Sequence, residues 1–134
     1  MQNASTLQFL LTLAKGIASQ FGPNCEVVVH DLATNDPERS IVAIENGHVT
    51  GRKAGDGPSH VVLEALRGNP EQLHDHLSYL TRTKDGKILK STTIYIRDDD
   101  GAPIGIFGIN YDITLMLAME NAIKQFTATE KDEK

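Results

Sequence analysis

The sequence predicts an α+β domain in which five antiparallel strands form one sheet, helices cover one face, and a further helix flanks each end. Three observations predict it. Apolar residues recur on a 3.6-residue period near both ends, β-branched runs fill the space between, and short glycine-marked turns separate those runs. The 134 residues match a single domain, and a chain of this length buries roughly two-thirds of its unfolded surface without a disulfide or metal staple.

Leu7, Leu10, Leu11, Ala14, Ile17, Ala18 and Phe21 share one helical face, Ser5 and Gln8 have capping-box spacing, and Gly22 with Pro23 stops the element. A helix over 5–20 follows. Residues 25–32 read as a strand through Val27, Val28 and Val29, broken at Asn35, Asp36 and Pro37. Residues 39–45 read as a second strand, ending at Asn46 and Gly47, a pair suited to positive φ. Glycines at 47, 51, 55 and 57 make the next stretch a loop of unusual backbone angles that carries Arg52 and Lys53. Pro58 and Ser59 open a short helix with Val62, Ala65 and Leu66 on one face, and Gly68, Asn69 and Pro70 close it. Residues 76–83, 87–97 and 102–112 then form an antiparallel meander, joined by a turn at Lys84, Asp85 and Gly86 and another at 98–101. Thr114 is the expected N-cap of a helix over 114–126, with Met116, Met119, Ile123 and Phe126 on one face, before a charged, frayed tail at 127–134. The chain reads as one domain with its core over 24–112.

Charge and cysteine usage narrow the function. Asp plus Glu number 18 against 13 Lys plus Arg, a formal −5, which is the wrong sign for gripping a phosphate backbone. The single Cys25 can form no intramolecular bridge, and the apolar run at 7–14 is too short to span a bilayer or to serve as a signal peptide. These features predict a cytoplasmic chain that contacts neither nucleic acid nor membrane directly.

Motifs with chemical potential are few. Cys25 and His30 lie five apart on a strand and so point to opposite faces, which leaves Cys25 a buried structural residue. His74 and His76 share a face if extended but lack a third metal ligand at usable spacing, so a solvated turn is the simpler account. Aligned on Gly101, the turn at 98–101 would put Ile96 and Phe107 where a calcium loop needs oxygen ligands, so it reads as a hairpin turn. Gly105 and Gly108 fall within a strand with no helix start behind them, so close packing explains them better than a dinucleotide site. Arg52 and Lys53, beside glycine-exposed amides, could hold a ligand carboxylate or phosphate. A solvated loop, or a salt bridge that fixes loop shape, is the alternative. Ser91 and Thr93 share one strand face, and Asn110 and Asp112 share one face of another, but which face looks inward stays open.

Four stretches carry a closer likeness: Cys25-Glu-Val-Val-Val-His-Asp-Leu32, Ile44-Glu-Asn-Gly-His-Val-Thr-Gly-Arg52, Gly86-Lys-Ile-Leu-Lys-Ser-Thr-Thr-Ile-Tyr-Ile-Arg-Asp98 and Ile104-Gly-Ile-Phe-Gly-Ile-Asn-Tyr-Asp112. Over about residues 8–115 the chain resembles the YheO-like PAS domain of bacterial transcriptional regulators. The resemblance implies a PAS sheet whose curvature keeps its helices from packing flat, leaving a cavity for a small molecule. It also implies a helix-turn-helix domain that contacts DNA elsewhere in the protein. Only eight residues follow Phe126, so the chain reads as a sensor fragment or a stand-alone version. Gly108 stands where the family pattern has Cys, which removes thiol chemistry there.

The leading expectation is a small-molecule sensor domain acting through an output domain. Its ligand is anionic or zwitterionic, and its candidate contacts are Asn46, His48, Arg52 and Lys53 from the loop at the cavity mouth and Ser91, Thr93 and Asn110 from the sheet. The rival is a structural homodimerisation module without a ligand. An enzyme ranks last, since no nucleophile–base pair or complete metal set is present, and no heme, flavin or other cofactor is implied. Homodimerisation through the terminal helices is expected in either case, because the apolar residues at 115–119 exceed what one sheet face can cover.

Overall fold

The computed structural model describes residues 4–33, 39–58 and 60–130, without the side chains of His60 and Val61. The expected strand break at Asn35, Asp36 and Pro37, the helix opening at Ser59 and the end of the tail at 131–134 lie outside the described residues. The elements run α1 (Ala4–Phe21), β1 (Cys25–Asp31), β2 (Ile41–Glu45), a 3₁₀ turn (Gly47–Val49), α2 (His60–Leu66), a 3₁₀ turn (Pro70–Gln72), β3 (His76–Arg82), β4 (Ile88–Arg97), β5 (Pro103–Asp112) and α3 (Thr114–Thr127). The five strands form one antiparallel sheet in the order β2-β1-β5-β4-β3, with the two early strands beside the three late ones.

The turns follow from their glycines. Gly22, at φ 88°, donates its N–H to Ala18 O and ends α1. Gly101, at φ 86°, closes the β4–β5 turn, where the Asp98 carboxylate accepts from the N–H groups of Asp100 and Ala102.

Strand alternation divides the sheet into two faces. On the outer face, Leu10, Ala14 and Ala18 of α1 pack on Cys25, Val27, Val29 and Phe107. Phe21 departs from the expected stripe and is exposed, since the packed row ends at Ala18. On the inner face, Val62 and Leu73 meet Tyr95 and Ile106. Ala65 is exposed rather than on the packed side of α2. Two cap readings are corrected. Ser5 already lies within the first helix, Ala4–Phe21, rather than at a cap position before it. Thr114 does not cap α3, because its hydroxyl is taken up at the strand–helix junction, donating to Asp112 Oδ1 at 2.6 Å and accepting from Ile88 N at 2.8 Å. No residue of α3 is buried, and among the described residues no helix is long and apolar enough to cross a membrane.

Candidate functional site

Strand register builds a polar row across the inner face. Glu26 pairs with Asn110, Asn110 with Ser91, and Ser91 with Tyr79, so four neighbouring strands contribute adjacent positions. The side chains join into one ladder. Asn110 Nδ2 donates to Glu26 Oε1 at 2.8 Å, Ser91 Oγ donates to Asn110 Oδ1 at 2.7 Å, and Thr81 Oγ1 lies 2.8 Å from Ser91 Oγ. Glu26 is fully buried, at 0% exposure, yet well held. Its Oε2 accepts from the Thr50 hydroxyl at 2.5 Å and the Thr50 N–H at 3.2 Å, while its Oε1 also pairs with Arg52 Nη2 at 3.3 Å. A buried charge demands such partners, since an unpaired one costs several kcal/mol, on the order of 3–5 when a partner is removed.

The loop that brings Thr50 and Arg52 to Glu26 depends on its local sequence. Asn46 adopts the left-handed region at φ 56°. At Gly47 a Cβ would sit 2.6 Å from the Arg52 carbonyl oxygen, so only glycine lets the chain fold back this closely. Lys87 fastens the structure from the other side, its Nζ donating to the carbonyls of His48 and Val49 at 3.1 Å each. The β3–β4 hairpin and the 3₁₀ turn are thereby tied across the inner face.

Between these parts lies an open hollow of about 610 Å³, lined by Val28, Tyr79, Leu89 and Ile106 and, from the polar ladder, by Thr81 and Asn110. A second hollow of about 850 Å³ adjoins it, sharing Val62, Tyr79, Thr81, Arg82 and Thr93. Arg52, Arg82, Lys84 and Lys87 bring positive charge to the first hollow's lining, against Asp85 at the rim. Beside it His30 is buried, with Nδ1 2.8 Å from Ser40 Oγ. Burial, assisted by the Arg52 charge, pushes its pKa from 6.5 down to about 3, so the ring stays neutral. On the other face burial, with the Glu26 charge, raises the Cys25 pKa and keeps the thiol protonated.

The sequence candidates divide accordingly. Ser91, Thr93 and Asn110 face inward, and with His48 and Arg52 they surround the hollow, Ser91 from beneath its lining as a member of the ladder. Asn46 and Lys53 do not line it. The Asn46 amide is occupied by the carbonyls of Gly22 and Cys25, at 3.1 and 2.8 Å, and latches the loop to the α1–β1 turn. Lys53 is exposed, its backbone N–H held by Asp56 Oδ2 at 3.0 Å. The salt-bridge alternative for Arg52 is realised through Glu26, which sequence reasoning passed over together with Thr50 and Thr81, while His30 was weighed only as a partner for Cys25. A signal existed: Glu26 and His30 share one face of a strand whose other face is Cys25, Val27 and Val29, so a polar inner face was implied. His76 stacks on Tyr79 with centroids 3.9 Å apart, and among the described residues no group of three His, Cys, Asp or Glu could hold a metal.

A family model described as the YheO-like PAS domain matches residues 1–128. The chain is 34% identical over 115 residues to an uncharacterised protein of Haemophilus influenzae, covering 86% of this chain and 50% of that protein. It is 38% identical over 106 residues to YheO of Escherichia coli K12, covering 73% and 40%. It is 28% identical over 126 residues to the transcriptional regulator DauR of Pseudomonas aeruginosa, covering 94% and 56%. The chain thus spans about half the length of the curated relatives it matches. Solved structures similar to it include a sensory box histidine kinase/response regulator from Burkholderia thailandensis E264, at 17% identity and TM-score 0.46 over 82% of this chain and 92% of that one. Another is the dark structure of the blue-light photoreceptor Aureochrome1 LOV, at 19% and 0.47 over 85% and 93%. The family match over residues 1–128, on a five-stranded antiparallel sheet with helices, means that the chain belongs to the YheO-like PAS domain family.

Proposed function

We propose that this chain is the small-molecule-sensing domain of a bacterial transcriptional regulator, and that its ligand, an anion or zwitterion, occupies the inner-face hollow. One observation carries the reading: a buried, hydrogen-bonded polar ladder borders an open hollow whose lining is rich in cations. A sheet face serving stability alone has no need of Glu26, Asn110 and Ser91 at its centre. Arg52 uses three of the five N–H donors of its guanidinium, toward Thr50, Gly57 and Glu26, and the remaining two are available to an acidic group. Similarity to DauR supports a role in transcription. Contact with DNA belongs to another domain of the regulator, since this chain carries a formal −5. A thermal-shift screen of small carboxylates, phosphates and zwitterions tests the reading, because a bound ligand raises stability by mass action. Arg52→Ala lowers the affinity of any hit about 10–100-fold. Failure of every class to shift the transition overturns it.

A second reading, a homodimerisation module, draws on the exposed apolar residues of the terminal helices. Leu115 is 70% and Phe126 91% exposed on α3, and Phe9 and Phe21 are exposed on α1. Light scattering at micromolar concentration tests it: a dimer supports self-association, and a monomer removes it. The two readings are compatible, since dimerised helices can carry a ligand signal.

A further inference from the structure

We propose that Thr81 sets ligand specificity in the inner-face hollow: its hydroxyl oxygen, obliged to accept a hydrogen bond, selects an anion that also carries a hydroxyl or ammonium donor. This rests on the sensor reading above and adds the direction of one hydrogen bond.

The direction follows from donor and acceptor inventories alone. The Glu26 carboxylate offers only lone pairs, and four donors occupy it. Asn110 must therefore turn its NH₂ toward Glu26, which leaves its carbonyl Oδ1 facing Ser91 at 2.7 Å. A carbonyl cannot donate, so Ser91 commits its single hydroxyl proton to Asn110. Ser91 Oγ can then only accept from Thr81, 2.8 Å away, and Thr81 commits its own proton in turn. Every donor in the ladder thus points toward Glu26. Among the described residues the Thr81 hydroxyl makes no other hydrogen bond, so what it presents outward is a lone pair.

Thr81 lines both hollows, and its chain neighbour Arg82 does so too. An acceptor in a largely cationic lining is a selective feature. A simple anion satisfies the cations and leaves the Thr81 oxygen unmatched, whereas an anion with an added O–H or N–H satisfies both. Loss of such a matched bond in a partly dry site lowers affinity about tenfold.

The test uses the full chain and matched probes: succinate against malate and aspartate, and propionate against lactate and alanine, by calorimetric titration. The expected result is binding of the hydroxyl- or ammonium-bearing member of a set about tenfold tighter than its parent, with the difference abolished in Thr81→Val and kept in Thr81→Ser. Equal binding within each set overturns the specificity proposal while leaving the sensor reading intact. Binding by no probe counts against the anion-sensor reading instead. The ladder's direction is then decided without ligand by nuclear magnetic resonance: a slowly exchanging Thr81 hydroxyl proton close to Ser91 supports the proposal. A Thr81 hydroxyl exchanging at the solvent rate overturns it.

Discussion

Toward α1, strand β1 buries Cys25, Val27 and Val29 among Leu10, Ala14, Ala18 and Phe107. From the opposite face of the same strand, Glu26 and His30 are just as buried but are held by hydrogen bonds and charge. On the outer face α1 packs tightly over β1, while Leu80 of β3 stays exposed at the far edge. The inner face is bridged by a loop and two short helical segments, which leave a hollow. Equal burial therefore serves two ends. Apolar burial on one side stabilises the sheet, and that stability lets the other side keep a costly buried carboxylate in a fixed place.

The largest expected effects compare the two faces directly. Phe107→Ala deletes a buried ring from the outer core and costs about 3–5 kcal/mol by urea denaturation. Glu26→Ala strips the acceptor from Asn110, Thr50 and Arg52 and costs about 3 kcal/mol or more. The variants differ in what else they change. The outer variant retains ligand affinity where folded, whereas the inner one loses it with the ladder.

Next in size is a pH effect confined to the inner face. The folded His30 pKa of about 3 lies below the ordinary 6.5, so the unfolded chain takes up a proton that the folded protein refuses. The associated stability is fully present above about pH 6.5 and is lost as the pH falls toward 3, by about 2 kcal/mol at pH 5. Chemical denaturation of wild type and His30→Asn at pH 7 and pH 5 checks this. The variant's loss between those values is expected to be smaller by about that amount.

The smallest effect sharpens the boundary between packing and polarity. A Cβ on Gly108 would come 2.9 Å from Val28 Cγ1, so Gly108→Ala overpacks the inner face and costs about 1 kcal/mol. Combining it with Val28→Ala relieves the contact, and denaturation of the pair as a double-mutant cycle reads the coupling.

The fold was legible because its signals are local. Glycine turns at 86 and 101, both with positive φ in the structure, separate strands whose β-branched runs need no distant partner to be recognised. The site was legible only in part. Alternation placed Ser91 with Thr93 on one face but could not say which face was covered, since that depends on where α1 docks. Arg52 stood out as a cation in a glycine loop, while its partner Glu26 lies 26 positions away and looked like any carboxylate in a strand. Their meeting depends on the Gly47 fold-back, a tertiary contact that no window of sequence contains.

Native mass spectrometry of the protein purified from a bacterial host tests the central claim, that the inner face receives a small molecule, most directly. The account predicts a folded species heavier than the chain by the mass of one small polar compound per protomer, lost under denaturing conditions and weakened by Arg52→Ala. Bare chain mass under every gentle condition, with no stabilisation by an extract of the same cells, would contradict it.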